Sequence, residues 1–298
     1  MRTHEEKRFQ VFGNIVMAIL SACALLPMLL LVLSSFTDND TLVQNGYSFF
    51  PAKWSVAAYT YIFTSGNSVV QAYGVSIVLT VVGTACSLII TTLLAYALAK
   101  KGLPGKGFLN FYVFFTMLFN GGLVPTYINY TNTFGIKNSF WALLVPNLLA
   151  NGFNIMLMKS YFASSIPDEI LEAAFIDGAS EFSVFSRIAV PLAKPIVATI
   201  GLFAGIAYWN DWQNGYIYLT TRTDLYSIQN LLNRMIQNIQ FLTQNSTSVG
   251  NSNVALASIP SVSVRMAMAV VGVLPIVVVY PFIQNNFVKG ITLGGVKG

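Results

Sequence analysis

The chain predicts an all-α integral membrane protein, and three observations carry that reading. It is 55% hydrophobic and only 9% charged, where soluble domains carry about a quarter charged residues. Its mean hydropathy is +0.63. Its apolar residues also gather into stretches of about 20, the length a helix needs to cross a bilayer core. Six stretches qualify, at about 11–35, 71–99, 108–128, 139–159, 192–213 and 262–283, and together they make 1–298 a single transmembrane domain.

The first stretch, from Val11, follows a charged start. It is longer than the apolar core of a signal peptide and no small-residue cleavage site follows it cleanly, so it reads as a retained helix. The segment 37–70 carries Asn45-Gly46, Phe50-Pro51, Tyr59, Tyr61 and Phe63, the composition of a turn-rich external stretch. The second span holds Gly74, Gly83, Ala85 and Ala95, small residues that let membrane helices approach closely. In the third, Asn120, Gly121, Gly122 and Pro125 threaten to unwind the far end, and Pro27, Pro146 and Pro275 are kink points in other spans. Within the external segment 220–260, Ile228, Leu231, Leu232, Met235, Ile239 and Leu242 recur at helical intervals, predicting an amphipathic helix over 227–242. The polar stretch 243–253 reads as a loop, either simply solvated or a contact for an extracytoplasmic partner.

Orientation follows from the basic residues. Arg2, Lys7, Arg8, Lys100, Lys101, Lys106, Lys159, Arg187, Lys194, Lys289 and Lys297 fall on one side, and Lys53, Lys137, Arg222, Arg234 and Arg265 on the other. Positive charge favours the cytoplasmic face, so both termini and the interval after the fourth span are predicted to be cytoplasmic. The net charge of +5 is accounted for in this way and calls for no nucleic acid.

Cys23 and Cys86 lie inside apolar spans, and the one histidine, His4, sits in the polar N-terminal tail. No metal site and no His-based catalytic centre can be assembled from that inventory, and no residue is assigned a catalytic role. Gly102-Leu103-Pro104-Gly105-Lys106 lacks the spacing and the hydroxyl of a phosphate-binding loop, and no span buries a chain of acids or histidines for proton coupling. A pump built on this chain must take its energy from another subunit.

The run Ser164–Pro195 concentrates five of the eleven carboxylates, Asp168, Glu169, Glu172, Asp177 and Glu181, between two apolar spans. Ser165 with Pro167, Asp168 and Glu169 reads as a capped helix start running to about Phe175. Gly178 then permits a bend, Ser180 and Glu181 open a second short helix toward Arg187, and Pro191 and Pro195 close the unit. The pattern Glu172-Ala173-Ala174, three residues, Gly178, nine residues, Ile188-Ala189-Val190-Pro191 resembles the EAA loop of permease subunits in ABC importers, with Val190 where the family has leucine. The resemblance implies a coupling helix within 164–191 that docks on an ATPase subunit, with Glu172, Ala173, Ala174, Asp177, Gly178, Ile188 and Pro191 as its motif positions. It implies that Glu172 pairs with a basic group there, and that ATP and Mg are bound by the partner ATPase, with no cofactor in this chain.

The fifth span ends in Tyr208-Trp209-Asn210-Asp211-Trp212. Aromatic rings stack on sugar C–H faces while amides and carboxylates bind hydroxyls, but an interfacial aromatic belt would look the same. The run is similar to the W-N-D/E-aromatic run of oligosaccharide permeases, and the tail Asn285-Asn286-Phe287-Val288-Lys289-Gly290-Ile291-Thr292-Leu293-Gly294-Gly295-Val296-Lys297-Gly298 resembles their glycine-rich ending, whose glycines permit a tight path. These likenesses identify the chain as a member of the carbohydrate-uptake permeases of type I importers, of the LplC-like and maltose-permease-like kind. The candidate substrate path is then Tyr208, Trp209, Asn210, Asp211 and Trp212 with Asn151 and Asn154. The implied setting is a bacterial plasma membrane. The implied partners are a second permease in a heterodimer, an ABC ATPase dimer, an extracytoplasmic sugar-binding protein, an oligosaccharide and membrane lipid. A permease for a non-sugar solute and a membrane enzyme acting on lipid-linked sugar are the competing readings.

Overall fold

The computed structural model describes residues 4–64, 68–244 and 261–295. Among them the structure is helical, with one isolated antiparallel bridge between Thr37 and Trp54 and no strand. The chain divides into two compact units, residues up to Val69 with Arg234–Pro275, and Val70–Asn233 with Ile276–Gly298.

In the first unit, α1 (His4–Ser35) is followed by α2 (Asn39–Asn45) and α3 (Ala57–Thr64). The expected turn-rich stretch after the first span is thus two short helices held back on the end of α1. Ser35 Oγ and Tyr59 Oη lie 2.8 Å apart and the Phe36 and Tyr59 rings stack at 4.8 Å. Gly46 ends α2 at φ +72°, a conformation that favours glycine. Asp38 pairs with Lys53 at 3.2 Å, and Asn39 Oδ1 accepts the Val262 N–H at 3.1 Å. Ile15, Leu20 and Leu25 on α1 are exposed, as a lipid-facing helix requires.

The second unit is built on α4 (Ser68–Ala99), with α5 (Lys106–Leu118), α6 (Leu123–Ile128), α7 (Trp141–Leu144), α8 (Gly152–Ser165), α9 (Asp168–Ile176), α10 (Glu181–Val184), α11 (Val190–Leu192), α12 (Lys194–Asn210) and α13 (Gln213–Tyr218). Helix α14 (Ile228–Gln244) supplies the predicted amphipathic segment, with Ile228, Leu232 and Ile239 buried. Helix α15 (Ser261–Gly295) includes the last predicted span. The predicted polar loop falls on 245–253, outside the described residues, apart from its first two positions, which end α14.

Among the described residues three helices, α1, α4 and α15, are long and apolar enough to cross a membrane, and the number rises to five when each bent pair counts as one span. The differences from six uninterrupted stretches have local causes. Over 108–128 the chain breaks between α5 and α6 by 116°, where Gly122 takes φ +85° and donates its N–H to Asn120 Oδ1. Over 139–159 helix occurs only at α7 and again from Gly152. Pro146 has no N–H to continue the first, Asn147 sits at φ +62°, and Asn151 caps the second. The fifth stretch begins after an 81° turn at Ala193 and ends at Asn210 rather than 213. The glycine-containing tail is drawn into α15 as far as Gly295, so it continues a helix instead of taking the tight path expected of it.

Two buried clusters hold the candidate regions in place. Ala95 of α4, Met158 and Phe162 of α8, Ile166, and Ala189, Ala193, Ile196 and Ile200 pack together beneath the helix-bend-helix run. Leu79, Leu143, Leu144, Tyr208 and Leu219 form the other, at the aromatic run. Between helices surrounded by lipid, such clusters gain from close packing rather than from exclusion of water.

Candidate functional site

The carboxylate-rich run folds as a projecting helix, bend and helix. Helix α9 starts after Pro167, with Asp168 and Glu169 in its first turn beside the positive helix end. The expected cap at Ser165 is not used. Ile166 is buried in the cluster below, so α8 runs through Ser165 and the chain can turn only afterwards, leaving Pro167 at the helix start. Helix α9 ends at Ile176, and Gly178 N–H donates to the Phe175 carbonyl at 3.0 Å. Gly178 takes φ +80° with open space where a Cβ would stand, so its role is conformational rather than steric. Ser180 Oγ then accepts the Ser183 N–H at 3.3 Å and caps α10, which continues as a π-helical turn over Phe185–Ala189 into α11.

This unit faces outward. Glu172, Ala173 and Asp177 are exposed, Ala174 and Ile188 are half-buried, and Pro191 is exposed within α11. Its apolar side chains are more telling, since Ile176 is 86% exposed, Phe182 73% and Ile170 44%. Leu171 and Phe185 are more buried than these three, and Leu171 packs against the cluster beneath. The run therefore anchors one apolar side and offers another with carboxylates around it. Two lysines from the α4–α5 connection reach it. Lys101 Nζ lies 2.5 Å from Asp168, and Lys100 bonds Glu181. The Asp168 hydrogen bond and charge, with Glu172 and Glu169 adding, hold the Lys101 ammonium above its ordinary pKa.

At the other predicted site the aromatic run divides. Tyr208 and Trp209 are buried, and Tyr208 donates its hydroxyl to the Leu144 carbonyl at 2.9 Å. The ring of Tyr208 lies against Gly83, where an added Cβ would stand 2.5–2.6 Å from it. These two side chains serve packing here. Asn210 is exposed and Trp212 is 38% exposed. Asp211 Oδ1 accepts the N–H groups of Gln213 and Asn214 at 3.1 and 3.2 Å and so opens α13, while its Oδ2 is buried with no hydrogen-bond partner among the described residues. Asn151 accepts the Asn154 N–H at 3.1 Å, which makes it a helix cap, and Asn154 is buried.

Several polar residues that the motifs do not include hold this end together. Asn214 donates to the Pro146 carbonyl at 3.0 Å, and Asn230 to the Trp212 carbonyl at 3.0 Å. Asn138, at φ +56°, accepts the N–H groups of Thr220 and Thr221 at 2.7 and 3.1 Å. Nothing local in the sequence marks these pairs, whose partners lie 18 to 83 residues away. A shallow hollow of about 190 Å³ lined by Tyr130, Phe134, Ile136, Trp141 and Val145 offers no charged group or amide. Among the described residues no group of three or more His, Cys, Asp and Glu could hold a metal ion.

A helical membrane chain that presents a capped, carboxylate-rich helix-bend-helix between apolar segments has the features of a transporter subunit worked by a partner. Protein LplC of Bacillus subtilis (strain 168) is 36% identical over 97% of this chain and 95% of its own length. The polygalacturonan/rhamnogalacturonan transport system permease protein YtcP of the same organism is 34% identical over 97% of each chain. Among solved structures, a bacterial ABC transporter involved in the import of the acidic polysaccharide alginate matches with a TM-score of 0.78 and 28% identity, over 96% of this chain and 99% of that one. No family model matches the chain. The chain belongs to the permease subunits of carbohydrate ABC importers. It is a multi-pass membrane protein and a transport subunit, and ATP hydrolysis is carried out by a separate subunit.

Proposed function

We propose that this permease forms half of the membrane path for an oligosaccharide handed over by an extracytoplasmic binding protein, beside a second, unequal permease and above an ABC ATPase dimer that binds ATP and Mg. The observation that carries the coupling role is the exposure of three large apolar side chains, Ile170, Ile176 and Phe182, on the same short unit, α9 and α10, as the exposed Glu172. Isolated exposed apolar residues are ordinary, but three on one short projecting unit with an anchored opposite side suit burial against a partner. In this reading Glu172 pairs with a basic group of the ATPase, Gly178 sets the bend, and Ala173, Ala174, Asp177, Ile188 and Pro191 shape the docking unit.

Six crossings, both termini cytoplasmic, complete the proposal, with the third, fourth and fifth crossings broken by the Gly122, Pro146 and Ala193 turns. Irregular backbone is tolerated at membrane depth where it is buried in protein or lines a cavity. The substrate path in this reading is carried by Asn210, Asp211 and Trp212, whose groups are exposed or unpartnered, with Tyr208, Trp209, Asn151 and Asn154 holding their geometry. Relatives named for polygalacturonan, rhamnogalacturonan and arabinooligosaccharides favour an oligosaccharide as cargo.

The test is gentle purification of this chain from its own host, with mass spectrometry of what accompanies it and ATPase assays against an oligosaccharide panel. A second permease and an ATPase should co-purify, and one sugar with its binding protein should stimulate hydrolysis. A chain that emerges alone and transports or reacts by itself overturns the proposal.

A further inference from the structure

The connection between α4 and α5 is only 100–105, and it is stapled shut. Lys106, at the start of α5, donates its ammonium to the carbonyls of Ala99 and Lys100 at 3.1 and 2.8 Å. Those carbonyls are at the C-terminal end of α4, where the helix dipole favours a cation. Gly102 and Gly105, at φ +80° and +73°, let the chain turn within that span. The backbone from which Lys100 and Lys101 project is therefore fixed to the end of α4.

These two adjacent lysines reach opposite sides of the Gly178 bend. Lys101 pairs with Asp168 in the first turn of α9. Lys100 pairs with Glu181 in the first turn of α10, and its ammonium also lies 5.0 Å from the centre of the Phe175 ring. Lys100 thus touches both short helices and Lys101 the far end of the first. We infer that Lys100 and Lys101 are positioning residues that clamp the two helices of the docking unit at a set angle and tie that angle to α4, so that movement of the unit is passed to the membrane helix.

Exposed ion pairs contribute little to stability, so the effect belongs to coupling rather than folding. With the unit released, ATP hydrolysis should continue while less of it is converted into uptake. The inference rests on the proposed coupling role, and the two fail differently. Without that role Ile176→Asp leaves ATPase binding and the uptake ratio unchanged, whereas without the clamp Ile176→Asp still reduces ATPase binding but the lysine variants import as wild type.

The experiment is reconstitution of the complete importer in proteoliposomes, measuring sugar taken up per ATP hydrolysed. Lys101→Glu and Lys100→Glu should each lower that ratio by about threefold or more, with the complex still assembled and hydrolysis retained, a size in keeping with exposed pairs. The exchange Lys101→Glu with Asp168→Lys should restore most of the ratio, and Lys100→Arg should preserve it. Unchanged ratios in both single variants overturn the clamp, as does a charge exchange that recovers nothing. If Lys101→Glu disturbs assembly, Lys100→Ala together with Glu181→Ala reads the second arm, and a wild-type ratio there also overturns it.

Discussion

Tyr208 shows how a single residue can be assigned one role from its chemistry and another from its surroundings. An aromatic ring beside Asn210 and Asp211 suits a sugar, yet its hydroxyl is committed to Leu144 and its ring to Gly83. Because the ring is pinned at both ends, Gly83→Ala should overpack the helix contact and cost about 1–3 kcal/mol, visible as a lower midpoint in thermal unfolding of the detergent-solubilised complex. Tyr208→Phe should cost about 1–3 kcal/mol by leaving the Leu144 carbonyl without its donor. An unchanged midpoint in both would mean the ring is not held as described. Trp212→Ala, by contrast, should weaken sugar-stimulated transport with little change in unfolding. The sequence could show that aromatics and amides cluster here, but not which were buried. That depends on a glycine 125 positions earlier and a carbonyl 64 positions earlier.

At the scale of elements, the helix-bend-helix run was the most legible part of the chain because its determinants are contiguous. Acids at two helix starts, a glycine between them and prolines at the close are local signals, and α9, the Gly178 bend and α10 follow them. Only the cap departs from the local signal, because the burial of Ile166 outweighs the capping tendency of Ser165. Gly178 has open space around it but a positive φ, which separates two substitutions. Gly178→Val should uncouple hydrolysis from uptake, since a left-handed backbone costs a β-branched residue about 1–3 kcal/mol. Gly178→Asn should retain most coupling, because asparagine visits that region readily. Equal behaviour of the two in an ATPase stimulation assay would count against the bend. The lysines of 100–106 could be read only as charges that orient the chain, because their partners Asp168 and Glu181 lie far along the sequence. The breaks at Gly122 and Pro146 were visible as residue types, but whether a helix absorbs such residues or stops at them is decided by packing.

At the scale of the whole molecule, the apolar excess made the membrane class plain, while the count of crossings depended on how bent pairs are treated. A chain of this kind works with partner subunits, and the proposed reading puts the surface that meets the ATPase in α9 and α10. Glu172→Ala should leave membrane insertion intact while reducing the ATPase recovered with the chain, and Ile176→Asp with Phe182→Asp should reduce it further. Wild-type recovery in both would remove the docking role from this unit. The most direct test is a photo-reactive amino acid placed at Ile176 and activated in native membranes of the host. Docking through these side chains predicts a crosslink to the ATPase subunit that is lost when the same group is placed at Tyr47, which the proposed topology puts on the opposite side of the membrane. A crosslink to lipid alone at Ile176, in membranes where the importer is active, would contradict it.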